Sequence, residues 1–85
     1  MRLRLSPLVP GDLEEIADFI ALDSPHKALQ LLRGLRSKFK EIASQPKLYQ
    51  LRPEIGPDER LACVGHYVVL FRIRQNTVRI ERAVR

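Results

Sequence analysis

The stretch that decides the fold is Gly65–Val84, which reads GHYVVLFRIRQNTVRIERAV. Between residues 67 and 73 apolar side chains occupy every second position, as in a strand with one face buried in a core. Two-residue turns at Gly65-His66 and Gln75-Asn76 bound this segment, and such short turns close antiparallel hairpins. The sequence therefore predicts an antiparallel meander of three strands, at residues 60–64, 67–74 and 77–84.

The C-terminal segment over residues 60–85, which contains this stretch, carries the whole formal charge of the chain, which is +5. Residues 60–85 contain six arginines and one acidic residue, whereas residues 1–59 contain nine basic and nine acidic residues. A cationic sheet half attracts an anionic partner such as nucleic acid or an acidic protein segment. The arginines predicted to form that surface are Arg60, Arg72, Arg74, Arg79 and Arg82.

A short strand and a helix are predicted at the N-terminus. Residues 2–6 alternate polar and apolar side chains, which places Leu3 and Leu5 on one face of a strand. Asp12 is predicted to cap the first helix, whose apolar side chains recur at helical spacing as far as Ile20. The edge of the short strand is a natural site for an added partner segment.

A second helix and an irregular loop complete the predicted fold. Ser24 is expected to cap this helix and Pro25 to fill its first position. The helix ends near Ser44, because Pro46 cannot continue it. After a loop over residues 45–59, the meander follows. We therefore expect one α+β domain spanning residues 1–85, built from an N-terminal strand, a helical hairpin and the three-stranded meander.

Composition excludes several classes of protein and site. No apolar run approaches the roughly 18 residues that a transmembrane helix needs, and no signal-peptide pattern is present, so a cytoplasmic location is expected. The only cysteine, Cys63, lies in a strand pattern and is expected to be a small core residue. Two distant histidines form no metal-ligand cluster, so neither a metal nor a cofactor is expected.

The last predicted strand contains one residue that conflicts with its surroundings. Counting by twos, Arg82 falls in phase with Val78 and Ile80 and so points to the apolar face. A charge on that face must be paired or lie at the rim of a groove. Arg82 therefore either reaches past the sheet edge into water or faces a ligand in a cleft. Replacing it with alanine is predicted to reduce activity more than stability.

Strand, helical hairpin, proline-bounded loop and arginine-led meander follow one another over nearly the whole chain. Their order and spacing resemble the ParE/RelE superfamily of toxins from bacterial type II toxin–antitoxin pairs, and the helix-side pattern is more similar to ParE. The residues that carry this resemblance are Leu5-Ser6, Asp12–Ile16, Phe19-Ile20, Ala28, Pro46, Arg60, Gly65–Arg72 and Val78–Arg82.

The resemblance implies one of two activities and a protein partner. ParE-like toxins inhibit DNA gyrase by stabilising its cleaved complex with DNA, whereas RelE-like toxins cleave messenger RNA on the ribosome. A small antitoxin, ParD-like in the ParE branch, neutralises the toxin by wrapping it in a hetero-oligomer. The residues expected to contact this antitoxin are Leu3, Leu5, Ile16, Phe19, Ile20, Leu31 and Leu35.

Several residues favour the gyrase inhibitor over the nuclease, and the predicted protein is not an enzyme. Arg60 and Arg82 match two arginines that nuclease members use for phosphate, but the loop over residues 53–59 is acidic and repels phosphate. His66 falls in a predicted turn and is a weak candidate for a catalytic base.

The place where the sequence ends leaves further alternatives open. It ends at Arg85, before the position of a terminal catalytic aromatic, whereas ParE-like chains usually continue with a short tail containing histidine and arginine. A naturally short chain and a chain lacking its tail both fit this ending. A gyrase inhibitor, a ribosome-dependent RNase and a weakly toxic member that mainly binds antitoxin all remain open. The sequence does not define the gyrase contact surface or the antitoxin.

Overall fold

The computed structural model describes residues Met1–Arg85. It confirms the α+β class, the helical hairpin and all three strands of the meander. No helix is both long enough and apolar enough to cross a membrane. The elements, in chain order, are β1 (Arg2–Leu5), α1 (Val9–Ala21), α2 (Pro25–Ser44), a short 3₁₀ turn (Pro46–Leu48), β2 (Arg60–Val64), β3 (Tyr67–Arg74) and β4 (Thr77–Val84).

The four strands form one sheet in the order β1-β4-β3-β2. The strands β2, β3 and β4 pair antiparallel as a meander, and β1 pairs parallel with β4. This parallel pairing aligns Leu3 with Val78 and Leu5 with Ile80. The strand β1 is therefore an edge strand, and its outer backbone groups are unpaired.

Both helices pack on one face of the sheet, and the opposite face carries no element. On β3, the buried side chains of Val69 and Phe71 alternate with half-buried Val68, Leu70 and Arg72. The buried residues meet Leu35 from α2 in a single core. We call the uncovered side of the sheet the open face, because its side chains are accessible to a partner.

The start of α2 follows the sequence prediction. The hydroxyl of Ser24 accepts a hydrogen bond from the backbone N–H of Lys27 at 3.2 Å, and Pro25 fills the first position. The buried residues of the helix recur at helical spacing as predicted. They are Ala28, Leu35, Phe39, Ile42 and Ala43.

The start of α1 differs from the prediction, because Asp12 is not its cap. The helix begins at Val9, and Pro10 lies in its first turn, where a missing backbone N–H costs nothing. Just before the helix, Ser6 Oγ accepts a hydrogen bond from the Leu8 N–H at 3.3 Å. The same hydroxyl donates to the Glu81 carbonyl at 2.7 Å, so it ties the entry of α1 to β4.

A β-bulge in β4 corrects the predicted direction of Arg82. Phe71 pairs with Ile80, but the preceding residue of β3, Leu70, pairs with Arg82, so Glu81 is an extra residue. One extra residue reverses the alternation of faces from that point. Ala83 therefore continues the buried row, and Arg82 does not share a face with Ile80.

The predicted burial of Cys63 is wrong. Its neighbour Ala62 is paired with Val69 and is buried under the helices. Cys63 is paired with Val68 and lies exposed on the open face. The alternation of side chains along a strand shows which residues share a face, but it does not show which of the two faces the helices cover.

Candidate functional site

Arg82 and Asp12 form an ion pair that joins β4 to α1. The Nε and Nη2 atoms of Arg82 each donate to a carboxylate oxygen of Asp12 at 2.8 Å. The backbone N–H of Ala83 also donates to Asp12, at 3.0 Å. Asp12 is only 7% exposed, whereas the side chain of Arg82 is 44% exposed. The pair therefore joins an internal carboxylate to a half-exposed guanidinium.

This arrangement perturbs both charged groups. The hydrogen bond from Arg82 lowers the pKa of Asp12, burial opposes that effect, and the Ala83 N–H adds to the lowering. The same contact raises the pKa of Arg82 above its usual value. Because Arg82 satisfies a buried carboxylate, its substitution should affect stability, which changes the sequence-based expectation for this residue.

Arg60 is also engaged inside the protein. Its Nη1 donates to the backbone carbonyl of Tyr49, which anchors the loop before β2. The ring of Tyr49 meets Phe71 edge-on, with centroids 5.6 Å apart. Arg60 and Arg82 therefore each bind a group of the protein itself, the Tyr49 carbonyl and the Asp12 carboxylate. They do not lie beside the other three predicted arginines.

Arg72, Arg74 and Arg79 lie together on the open face, as the alternation predicted. Arg72 pairs by register with Arg79, and Arg79 pairs with Arg4 on β1. In the next row, Thr77 pairs with Arg74 on one side and with Arg2 on the other. Arg2 and Arg4 are therefore members of the cationic surface that sequence reasoning missed, since nothing local reveals which strand β1 joins.

Acidic residues from the loop before β2 lie against one end of this surface. Arg72 Nε donates to Glu59 Oε1 at 2.7 Å, and this bond raises the pKa of Arg72. Arg74 Nη2 lies 2.9 Å from Asp58 Oδ2. The side chain of Glu59 is only 7% exposed, so the loop is fixed against β3. The acidic loop thus neutralises Arg72 and Arg74 within the molecule.

A groove of about 420 Å³ runs between α1 and α2 beside β1. We call it the hairpin groove. Leu5 lines it, so the groove continues directly into the free edge of β1. Its apolar floor and free strand edge would accept an extended or helical peptide. The lining residues are Leu5, Pro10, Leu13, Glu14, Ala17, Asp18, Leu32, Arg36 and Phe39.

A second groove of about 510 Å³ lies between α1 and the end of β4. The Asp12–Arg82 pair lines it together with Tyr67. Phe19 lies at this groove and is 57% exposed, which is unusual for a large aromatic side chain.

The seven residues predicted to contact an antitoxin differ in how far the structure exposes them. Leu3, Leu5 and Phe19 are exposed, and Ile20 and Leu31 are half-buried against the core. Ile16 is buried among core residues, and Leu35 has no exposed surface at all. A partner can therefore reach the first group on the surface, whereas Leu35 belongs only to the core.

Comparison with known protein families shows which family the chain belongs to. Residues 3–85 match the family described as "ParE toxin of type II toxin-antitoxin system, parDE". The chain belongs to the ParE toxin family. No similar sequence is found among curated proteins.

A solved structure carries the same fold as this ParE-family chain. It is described as "Chromosomal ParDE TA system from P. aeruginosa", and the two match with a TM-score of 0.85 at 24% sequence identity. The match covers 100% of this chain and 95% of the other. At this identity the likeness supports the fold of the ParE chain and says nothing of individual residues.

Proposed function

We propose that this ParE-family protein inhibits DNA gyrase by stabilising the cleaved gyrase–DNA complex. The observation that carries the proposal is the family match over residues 3–85. The positions of Arg60 and Arg82 support an inhibitor over a nuclease, because both side chains are bound to groups of the protein itself. An RNase of this kind would need free cations at the scissile phosphate.

We further propose that a ParD-like antitoxin neutralises the toxin at β1 and the hairpin groove. The strand β1 has a free edge, and its Leu3 and Leu5 are exposed beside an apolar groove. An incoming strand would complete the unpaired backbone hydrogen bonds, while apolar side chains fill the groove. The antitoxin would therefore cover the exposed Leu3 and Leu5 and fill the hairpin groove.

The gyrase proposal is tested by incubating the protein with gyrase, ATP and supercoiled plasmid, followed by protease and gel electrophoresis. Linear plasmid should accumulate, because a poisoned complex releases broken DNA when the protein is digested. Unhindered supercoiling without linear plasmid would contradict the proposal. In that case cleavage of messenger RNA on translating ribosomes should be assayed.

The antitoxin proposal is tested with Leu5→Glu, which places a charge at the junction of β1 and the hairpin groove. Leu22→Glu is the matched control, since Leu22 is an exposed leucine between the helices and lines neither groove. Leu5→Glu should weaken binding of the cognate antitoxin at least tenfold, about 1.4 kcal/mol, in calorimetric titration. Equal affinity of the two variants would place the antitoxin elsewhere.

A further inference from the structure

Three arginines lie directly opposite one another across the open face. The register aligns Arg4 on β1 with Arg79 on β4, and Arg79 with Arg72 on β3. Neighbouring strands are about 4.8 Å apart, so the three Cα atoms span roughly 10 Å. We call this set the arginine row. Arg2 and Arg74 flank it, one on each side of Thr77.

The stability of the folded sheet does not explain why these three arginines lie side by side. Like charges placed directly opposite on adjacent strands destabilise a sheet. The acidic loop offsets Arg72, but the contact of Arg79 with Glu81 is long, at 3.4 Å, and its guanidinium is half-exposed. The side chain of Arg4 makes no hydrogen bond or ion pair and is exposed. A cationic row that costs stability and retains unused donors indicates a binding surface.

The chemistry of the row favours phosphate. Every cation in it is an arginine, whose planar fork matches the oxygens of a phosphate group and stays charged at all physiological pH values. The open face offers no aromatic side chain on which unpaired bases could stack, since Tyr67 and Phe71 are buried under the helices. Contact with the backbone of a duplex fits this surface better than contact with exposed bases.

We propose that the open face binds the phosphate backbone of duplex DNA through Arg4 and Arg79, the two members of the row that no carboxylate of the acidic loop engages. The inference rests on the proposed action on gyrase, because it supplies the contact with the DNA in that complex. Arg2 extends the surface on β1. On β3 the surface ends at Arg72 and Arg74, which are already paired with Glu59 and Asp58. Binding of this kind is independent of base sequence and strongly dependent on salt.

The test compares two variants that remove the same charge. Arg4→Gln/Arg79→Gln removes two members of the row. Arg33→Gln/Lys40→Gln is the control, because both side chains are exposed on α2, away from the open face. Binding of a short fluorescein-labelled DNA duplex is measured by anisotropy as a function of salt. Each lost phosphate contact should reduce the slope of log K against log salt by about 0.9.

The row variant is expected to lower that slope by about 2 and to weaken binding roughly 10- to 60-fold near 0.1 M salt. The control should bind nearly as the wild type does. The melting temperature of the row variant should stay equal or rise, because like-charge repulsion is relieved. Should the double variant fail to fold, Arg4→Gln alone tests the same contact at an exposed edge position.

Three results would overturn the inference. They are equal weakening of the row and control variants, absence of wild-type binding at low salt, and equally tight binding of polyglutamate through the same arginines. The last would identify an acidic protein as the partner. The plasmid assay is independent: duplex binding without linear plasmid would refute gyrase poisoning alone, and linear plasmid without duplex binding would refute only this surface.

Discussion

Removal of the Asp12 carboxylate is the sharpest test of how the helical and sheet halves are joined. In Asp12→Ala, the N–H of Ala83 loses its acceptor inside the protein, while the half-exposed Arg82 can turn to water. An unsatisfied buried donor costs about 1–3 kcal/mol. Taking about 2 kcal/mol, the melting temperature should fall by roughly 8–16 °C for a chain of this size.

Thermal unfolding followed by circular dichroism measures this change, with Asp12→Asn as the matched control. Asparagine keeps an oxygen for the Ala83 N–H but loses the charge that attracts Arg82, so its loss should be smaller. A fall of less than about 4 °C in Asp12→Ala, equivalent to under 1 kcal/mol, would show that the carboxylate is not important for stability.

The pH dependence of stability provides a second signature of the same carboxylate. Its pKa is lower in the folded protein than the ordinary value of 3.8, which applies in the unfolded chain. The stabilisation is therefore fully present above the unfolded pKa and is lost as the pH falls through the folded pKa. Wild-type stability should decline more steeply in acid than that of Asp12→Asn. Parallel curves would contradict the role assigned to the ion pair.

Three other outcomes follow from the loops and the open face. Gln75 and Asn76 both have positive φ, at 48° and 59°, a conformation that Asn-Gly adopts more easily. Changing the pair to Asn-Gly should raise the free energy of unfolding, measured in urea, by roughly 0.5–1 kcal/mol, and no gain would show that this turn is not strained. A Cβ atom at Gly56 would lie 2.9 Å from Glu59 Cγ, so Gly56→Ala should lower the melting temperature; an unchanged value would show that the acidic loop adjusts freely. Cys63 is exposed, so a small thiol reagent should label it fully in the native protein, and protection until unfolding would contradict that placement.

Alternation within the meander could be read directly from the sequence. The turns at Gly65-His66 and Gln75-Asn76 fix the bounds of β3, and the side-chain period of two fixes which residues share a face. Arg72, Arg74 and Arg79 were therefore placed together correctly. The same reasoning gave the cap at Ser24, because serine followed by proline is a local signal.

The sequence by itself determined the order of elements, the predicted family and the cationic character of the sheet. Only the tertiary structure decided that β1 joins β4, that Glu81 forms a bulge and that Asp12 pairs with Arg82. The pairing of β1 with β4 and the Asp12–Arg82 ion pair join residues 70 or more positions apart along the chain. Local patterns encode local geometry, whereas a partner across the sheet is chosen by the packing of the whole chain. For that reason the place of Arg4 in the arginine row, and the ion pair of Arg82 with Asp12, emerge only in the folded molecule.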